Sequence, residues 1–598
     1  MTSPANKRPR VGSAEKEPSA SSTVLDPITP SVLQQGEELA TLYQKATPYP
    51  HAVIDNFCVD GFLESILTEL KHNSKVKFKE TDLFRVYQSI DLGNLKDGSE
   101  LAANMPNLMK LKNAIYSPEY RAFIENIAGL ETGSLTDEVD CAANCHTRGC
   151  HLLCHDDVIG TRKVSYIIYL TDANPEWTDS DGGRLELYEA VAEDDRFVPG
   201  ALPVKTVLPA FNSMAYFVVE PGVSFHSVQE VFCDRPRLSI QGWYHTKEAP
   251  SQIENATLQR LKSTGKGENT EGAFQPIIGH APADSTDTEE SGTPSEVTFS
   301  SEESKFLSEY INKAYLSEES LNEIRTRFEE ESSVKLRHFL NDGWSSKIKA
   351  AFTRQDKADK VGENNPSLDY HVGINEKWKA VGPAHKQRFL QYQEGSGSIL
   401  SEKKASTDDA VDVGEYLDHL KHNLFQSSEF GRWIGWLSSL GFPLGYRGRI
   451  RRFRPGLDYT VAHYGILTTN AVLDTTLCFC GGEGNQCSFD EETNDLIGSD
   501  DDAIWESGDV GGFECYIEAD DDDEAAEAEY DEEDDTQLLS VSASFNTLSL
   551  VYRDPGTMKF VKYVGSGAPS SRWDIALEYD VKADDEDEHQ APATDEED

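Results

Sequence analysis

At 598 residues the chain is longer than one hydrophobic core can serve, so two folded units joined by polar segments are expected. Lys and Arg number 55 against 105 Asp and Glu, and the resulting formal charge of −50 disfavours bulk attraction to nucleic acid and suits solubility or a basic protein partner. The apolar runs are strand-sized rather than bilayer-sized, no signal-peptide core opens the chain, and ten cysteines are too few for a disulfide scaffold, so a soluble intracellular protein without a membrane segment is expected.

Residues 1–25 are rich in Ser, Pro and Lys without periodicity and are read as a disordered tail. Within it, Lys7-Arg8-Pro9-Arg10 offers a nuclear signal, which makes cytoplasm and nucleus the expected locations. A short strand is predicted around Val53 and Ile54, then an amphipathic helix carrying Phe62, Ile66, Leu67 and Leu70. From Leu135 to Tyr244, short β-branched and aromatic segments alternate with Gly, Pro, Asn and Asp turns, the pattern of a sandwich or barrel. The catalytic unit is assigned to 26–248 and a flexible linker rich in Ser, Thr, Gly and Glu to 249–300. A second unit spans 301–580, with helical periodicity over 304–340 and 415–440 followed by strands over 447–579, and an acidic tail takes 581–598.

The two strand-rich parts resemble each other. Asp181-Gly182-Gly183-Arg184-Leu185-Glu186-Leu187 recurs as Val510-Gly511-Gly512-Phe513-Glu514-Cys515-Tyr516, and Phe211-Asn212 with Pro221-Gly222 recurs as Phe545-Asn546 with Pro555-Gly556. One β-fold is therefore expected twice.

The chain holds a single His-x-Asp triplet, His155-Asp156-Asp157. On a strand, positions i and i+2 share a face, so both outer side chains reach one ion. His226, after the Pro221-Gly222 turn, supplies a third ligand. Two imidazoles and one carboxylate form the facial triad of non-haem Fe(II) oxygenases, with positions left open for dioxygen and a co-substrate. Arg237, eleven residues on, sits beside Ser239, and a guanidinium fork next to a hydroxyl suits the distal carboxylate of 2-oxoglutarate. Taken singly, these residues read better as a core histidine, a turn aspartate and a surface ion pair; their order along the chain favours a site. Cys141, Cys145, Cys150 and Cys154 lack a C-x-x-C knuckle and are read as core thiols in preference to a zinc site. Arg447, Arg449 and Arg451 would share one face of a strand, open to RNA phosphates or an acidic partner, with pairing to the acidic loop near Asp520 as the competing reading.

At these residues the chain resembles the prolyl hydroxylases of the 2-oxoglutarate oxygenase superfamily that act on a small-subunit ribosomal protein, the fungal prolyl 3,4-dihydroxylases and their animal relatives. The resemblance is carried by Cys154-His155-Asp156-Asp157, Ser165-Tyr166-Ile167-Ile168-Tyr169-Leu170, Pro221-Gly222 before His226, and the run from Arg235 to Tyr244. The segment Thr81-Asp82-Leu83-Phe84 is similar to the family's mobile element over the active site. The resemblance implies a mainly β architecture with flanking helices (α+β), as two tandem double-stranded β-helix (jelly-roll) domains, the second lacking the metal site. It implies Fe(II) on His155, Asp157 and His226, 2-oxoglutarate as co-substrate on Arg237 and Tyr169, and ascorbate as reductant. The implied reaction is 3-hydroxylation or 3,4-dihydroxylation of a proline in a small-subunit ribosomal protein, with effects on translation fidelity and termination. Two alternatives stay open: an oxygen-responsive protein that controls transcription-factor turnover by binding a regulatory partner through its second domain, and an oxygenase with another target. In the aligned repeat His463 falls at His155, Gly465 at Asp157 and Phe560 at His226, so the second copy is expected to hold no iron.

Overall fold

The computed structural model of the chain describes residues 24–581 except 97, 194–195, 263–271, 278–298, 363–365, 396–410, 482–487, 490–495, 498–503 and 520–536. The basic cluster at 7–10, nearly all of the N-terminal tail, the acidic loop at Asp520 and the acidic tail from residue 582 lie outside the described residues.

The first half is built on one 11-stranded sheet. Its order is His51–Ile54, Met214–Val218, Arg162–Tyr169, Arg237–His245, Asp140–His146, Phe84–Asp91, His151–His155, His226–Val228, Leu185–Leu187 and Lys205–Val207, with Val76–Glu80 paired to Phe84–Asp91 off this path. The strand Arg162–Tyr169 is buried on both faces from Val164 onward, and all but Ser165 of that stretch is apolar or aromatic. Tyr166 and Ile168 pack with Leu108, Ile115, Tyr120 and Ile124 of two helices, whereas Ile167 and Tyr169 face an interior shared with Leu185, Leu187 and Phe217. Those helices, Pro106–Ile115 and Pro118–Ala128, begin with Pro in their first turn, and Ser117 caps the second by accepting from Tyr120 N. Neither helix figures in the sequence-based expectation. The predicted strand and amphipathic helix before them are present as His51–Ile54 and Phe62–Asn73.

In the second half a large sheet runs Ser333–Leu336, Thr547–Arg553, Val472–Phe479, Arg572–Asp580, Gly445–Phe453, Gln387–Tyr392 and Trp378–Val381, and a separate three-stranded sheet runs Gln537–Val541, Glu514–Glu518, Thr557–Val561. Two local devices recur between the halves. Asn212 (φ 57°) and Asn546 (φ 50°) both take the left-handed conformation. The Asn212 amide donates to Cys58 O and accepts from Cys58 N, as the Asn546 amide does with Leu340. The glycine pairs Gly182-Gly183 and Gly511-Gly512 also share positive φ, and a Cβ at Gly182 or Gly511 would lie 2.2 or 2.0 Å from the backbone oxygen of Glu230 or Tyr563.

Three expectations need correction. The helical reading of 304–340 runs too far: helices occupy Ser301–Ser308 and Glu318–Glu331, and Ser333–Leu336 is an edge strand against Thr547–Arg553. The described parts of the 249–300 linker are not free chain. Thr257–Lys262 is a helix whose first residue bonds to Asp156, and Gln275 forms a backbone bridge with Tyr446. The basic stretch lies in the strand Gly445–Phe453, as predicted, with Arg454 just beyond it, but four of its arginines take acids of the chain itself. Arg447 pairs with Glu578, Arg451 with Asp574, Arg452 with Asp356 and Asp359, and Arg454 with Asp458. Arg447, Arg452 and Arg454 are buried, which removes them from contact with RNA, and the pairing expected with the Asp520 loop lies outside the described residues.

The halves meet over the outer face of the strands that carry the predicted ligands. Arg388 donates to Tyr188 Oη at 3.0 Å, Tyr370 bonds to Glu186, and Glu230 accepts from Ser566 N and Oγ, both at 2.8 Å.

Candidate active site

His155, Asp157 and His226 converge. Their ligand atoms all lie within 4.8 Å of one another, with His155 Nε2 at 3.1 Å and His226 Nε2 at 3.3 Å from the Asp157 carboxylate. The route to this geometry differs from the predicted pleat. The strand ends at His155, and Asp157 lies beyond it at φ 62°, so its side chain is folded back by a left-handed residue. Opposite His226–Val228 the pairing slips: His226 faces His155 but Val228 faces Leu152. The resulting bulge turns Cys154 outward, into a cluster with Tyr188, Phe225 and Ala384, and keeps His155 inside.

Each imidazole is oriented by a backbone carbonyl. His155 Nδ1 lies 2.8 Å from Leu153 O and His226 Nδ1 lies 2.8 Å from Ser224 O, which makes Nδ1–H the donor and leaves Nε2 as the free lone pair. Ser224 Oγ donates to Asp156 O at 2.9 Å. The Asp156 carboxylate accepts from Thr257 Oγ1 at 2.8 Å, Thr257 N at 3.0 Å and Val158 N at 3.2 Å, tying the loop that carries Asp157 to the helix Thr257–Lys262. Asp157 Oδ2 is buried without a hydrogen-bond donor. Burial pushes the Asp157 carboxyl up, but His226 and His155 outweigh it and hold it well below the usual carboxylate range. A buried carboxylate with an unsatisfied oxygen between two imidazole lone pairs fits a divalent cation.

Deeper in the interior, Tyr169 and Ser239 stand directly opposite on paired strands, and Arg237 lies two residues along from Ser239 on the same face. Arg237 is fully buried, anchored through Nε to Gly183 O at 2.6 Å, with its guanidinium carbon 5.2 Å from the Tyr169 ring centre. Arg237 Nη2, Tyr169 Oη and Ser239 Oγ are all buried with no well-aligned hydrogen bond. Three such groups on one wall fit an incoming carboxylate. Asn144 and His146, opposite Ser239 and Arg237, extend this wall. Asn144 Oδ1 and both His146 ring nitrogens are also unpartnered, and burial, then Arg237, hold the imidazole well below its ordinary value. Both residues were missed; the two-residue alternation of Ala142, Asn144 and His146 was the available signal.

The corresponding place in the second half is furnished differently. In the repeat, Leu187 aligns with Tyr516, and Leu187 pairs with His226 whereas Tyr516 pairs with Lys559. Lys559, not Phe560, therefore stands at the His226 position, and Phe560 faces an apolar cluster with Cys515 and Met558. Arg572 bonds to Gly512 O as Arg237 does to Gly183 O, but it also takes the Glu514 carboxylate at 3.1 Å. A second trio, Glu394, Asp418 and His422, lies within ligand range, yet Lys421 Nζ sits 2.7 Å from both Glu394 oxygens. The four cysteines of 141–154 form no metal group among the described residues.

A jelly-roll-type sheet carrying two histidines and an aspartate above a buried arginine defines the class: a 2-oxoglutarate- and Fe(II)-dependent oxygenase. The family description "2OG-Fe(II) oxygenase superfamily" matches residues 141–245, and "Oxoglutarate and iron-dependent oxygenase degradation C-term" matches residues 302–587. Prolyl 3,4-dihydroxylase OGFOD1 of Ostreococcus tauri is 39% identical over 537 residues, covering 89% of this chain and 95% of its own length. Prolyl 3-hydroxylase OGFOD1 of Xenopus laevis is 29% identical over 551 residues, covering 89% and 86%. The chain belongs to the OGFOD1 prolyl hydroxylase family, and it is a dioxygenase that uses Fe(II) and the co-substrate 2-oxoglutarate.

Proposed function

We propose that the chain hydroxylates a prolyl ring, by 3-hydroxylation or 3,4-dihydroxylation, in a small-subunit ribosomal protein. The observation that carries the reading is the joint presence of the His155, Asp157 and His226 cluster and the unpartnered wall of Arg237, Tyr169 and Ser239. In this reading His155, Asp157 and His226 hold Fe(II), and Arg237, Tyr169 and Ser239 hold the distal carboxylate of 2-oxoglutarate. When bound, the metal and co-substrate supply oxidation of a C–H bond by dioxygen, coupled to loss of carbon dioxide. The chain's own residues do the rest. Leu153 O and Ser224 O fix the imidazole tautomers, Gly183 O aims the guanidinium, and Ile167, Leu185 and Phe217 keep the interior dry. Ascorbate is the reductant expected to keep iron in the ferrous state.

Tandem jelly-roll domains account for the recurring asparagine clasps and glycine pairs. The catalytic one would run from 26 to about 262, because the Thr257–Asp156 bonds attach the following helix to it, and the second over 301–580, with Lys559 in place of a ligand and a role in partner binding. A nuclear as well as cytoplasmic location rests on the Lys7-Arg8-Pro9-Arg10 cluster, and a fluorescent fusion with these basic residues replaced tests it.

The test of activity is conversion of 2-oxoglutarate to succinate by the purified chain with Fe(II) and a panel of proline-containing peptides from small-subunit ribosomal proteins, against His226→Ala. A peptide that stimulates turnover and gains the mass of one or two oxygen atoms, only with the wild type, supports the reading. Stimulation by non-ribosomal targets alone would replace the substrate, and turnover that survives in His226→Ala would remove the site assignment.

A further inference from the structure

The second half reaches the strand of His226 from behind. His226–Val228 is a strand of three residues whose pairing with His151–His155 slips, so its one regular neighbour is Leu185–Leu187, where Ser227 stands directly opposite Glu186. By alternation His226 points into the interior and Ser227 to the outer face. On that outer face Glu186 is a buried carboxylate. Ser227 Oγ and Tyr188 Oη both donate to its Oε2, the latter at 3.2 Å. Its Oε1 accepts from Tyr370 Oη of the second half, which in turn accepts from Gln229 Nε2 at 3.1 Å. Tyr188 Oη accepts from Arg388 Nη1 at 3.0 Å, so a cation of the second half backs the same carboxylate.

The groups of the second half are themselves fixed. Arg454 donates through Nη1 to Tyr370 O at 2.7 Å and Val372 O at 2.8 Å, and its Nε and backbone N both donate to Asp458 at 2.8 Å. Arg388 donates through Nε to Leu457 O at 2.6 Å. Its guanidinium carbon lies 5.3 Å from the Tyr459 ring centre and 6.0 Å from that of Tyr370. Tyr370 and Arg388 are thus held in place by their own half where they meet the first.

A buried carboxylate is costly even when paired, so its placement behind His226 serves the positioning of that strand better than the cohesion of the halves. The repeat draws the same distinction. Glu186 aligns with Cys515, which pairs with Phe560 as Glu186 pairs with Ser227, and Cys515 and Phe560 lie in an apolar cluster with Met558. The carboxylate stands in the copy that has the His155, Asp157 and His226 trio, and a thiol replaces it in the copy that has Lys559 at the His226 position.

We propose that Tyr370 and Arg388 are positioning residues for His226. Acting through Tyr188, Glu186 and Ser227, they hold the strand His226–Val228 where the imidazole Nε2 meets the metal, so full metal affinity needs both halves. The inference rests on the reading that His226 holds Fe(II). The test uses the full chain and two probes: Mn(II) titration followed by electron paramagnetic resonance of the free ion, and the visible spectrum of the Co(II)-loaded chain. Tyr370→Phe should weaken Mn(II) binding by about threefold or more, because it acts one step beyond the groups that touch the ligand strand. It should also shift the Co(II) bands. Glu186→Gln should do the same, and the double variant should lose no more than the weaker-binding single one, since both cut one chain of contacts. Lys562→Ala, which breaks a contact between the halves away from this strand, should bind Mn(II) as the wild type does. Far-UV circular dichroism and melting establish folding, and Tyr188→Phe, which cuts the Arg388 branch, takes the place of Tyr370→Phe if that variant does not fold. Wild-type Mn(II) affinity and Co(II) spectrum in the folded variant overturn the proposal, as do additive losses in the double variant or equal weakening in Lys562→Ala. Mn(II) binding that survives unchanged in His226→Ala removes instead the reading on which the proposal rests.

Discussion

Glu230 makes the contact between the halves pH-dependent. Its carboxylate is buried and accepts from Ser566 N and Oγ, both at 2.8 Å, and from Tyr563 Oη at 3.4 Å. Burial raises its pKa to about 7, with the Ser566 and Tyr563 donors pulling the other way. The unfolded value is near 4.5, so the folded chain binds the proton more tightly. Stability from this group is therefore complete below about pH 4.5 and is lost as pH rises through 7. The interval between the two values corresponds to about 3 kcal/mol at full deprotonation. Glu230→Gln preserves the shape of the protonated side chain: its carbonyl accepts from Ser566 N and its amide donates to Ser566 Oγ. Denaturant unfolding of both proteins at pH 5, 6, 7 and 8 isolates this residue, because all other titrations cancel in the difference. The variant should exceed the wild type by about 1 kcal/mol at pH 5 and by about 3 kcal/mol at pH 8. A difference that does not change with pH refutes the assignment of the raised proton affinity to Glu230.

Thr257→Val removes one of three hydrogen bonds to the buried Asp156 carboxylate without leaving a hole. The expected losses are about 1.5–3 kcal/mol of stability and about tenfold in Fe(II) affinity; unchanged metal affinity by anaerobic titration would leave Asp156 a structural role alone. Lys562→Ala releases the tip of the hairpin made by Val76–Glu80 and Phe84–Asp91, which Lys562 holds through Thr81 O at 2.9 Å and Glu80 at 3.1 Å. Amide exchange at residues 80–84 should rise while Fe(II) binding stays unchanged, and equal protection in both proteins would show that the tip is held by its other contacts. Leu185→Glu places in the first half the carboxylate that Glu514 provides in the second. The KM for 2-oxoglutarate should rise at least tenfold with metal binding retained, and a wild-type KM would show that residue 185 does not reach Arg237.

The candidate trio His155, Asp157 and His226 was legible because metal chemistry demands scarce residue types in a fixed order, and the chain offers one His-x-Asp triplet. Its geometry was not. A pleated strand would have brought His155 and Asp157 together by alternation, whereas the bulge at Leu153 and Cys154 and the left-handed Asp157 do so, and neither follows from residue type. Asp156 was invisible for a related reason: its partner Thr257 lies about a hundred residues on, in a segment whose composition reads as linker. The arginine stretch divides the same way. Alternation put Arg447, Arg449 and Arg451 on one face, but the acids that claim Arg447 and Arg451 come from the adjacent strand Arg572–Asp580 and from Glu514, which only the pairing reveals.

The single-residue slip between Phe560 and Lys559 shows most clearly where pattern stops and register begins. A constant offset carries Pro221-Gly222 onto Pro555-Gly556 and His226 onto Phe560, yet the pairing with Tyr516 puts Lys559 inside and Phe560 outside. In a strand a slip of one residue exchanges the two faces, so the sequence repeat can be correct and the inferred side chain still wrong. The consequence is chemical. With phenylalanine inside, the second interior would be an inert apolar plug; with lysine inside, it is a charged network joined through Glu514 to Arg572. The same buried arginine then has two fates, set by what stands two residues after the conserved turn in each repeat. Leu185 leaves Arg237 an unused donor for a ligand, and Glu514 consumes Arg572 from within. Loss of co-substrate binding in the second half thus needs no loss of its arginine, only a carboxylate on the facing strand, with Lys559 making that substitution electrostatically tolerable.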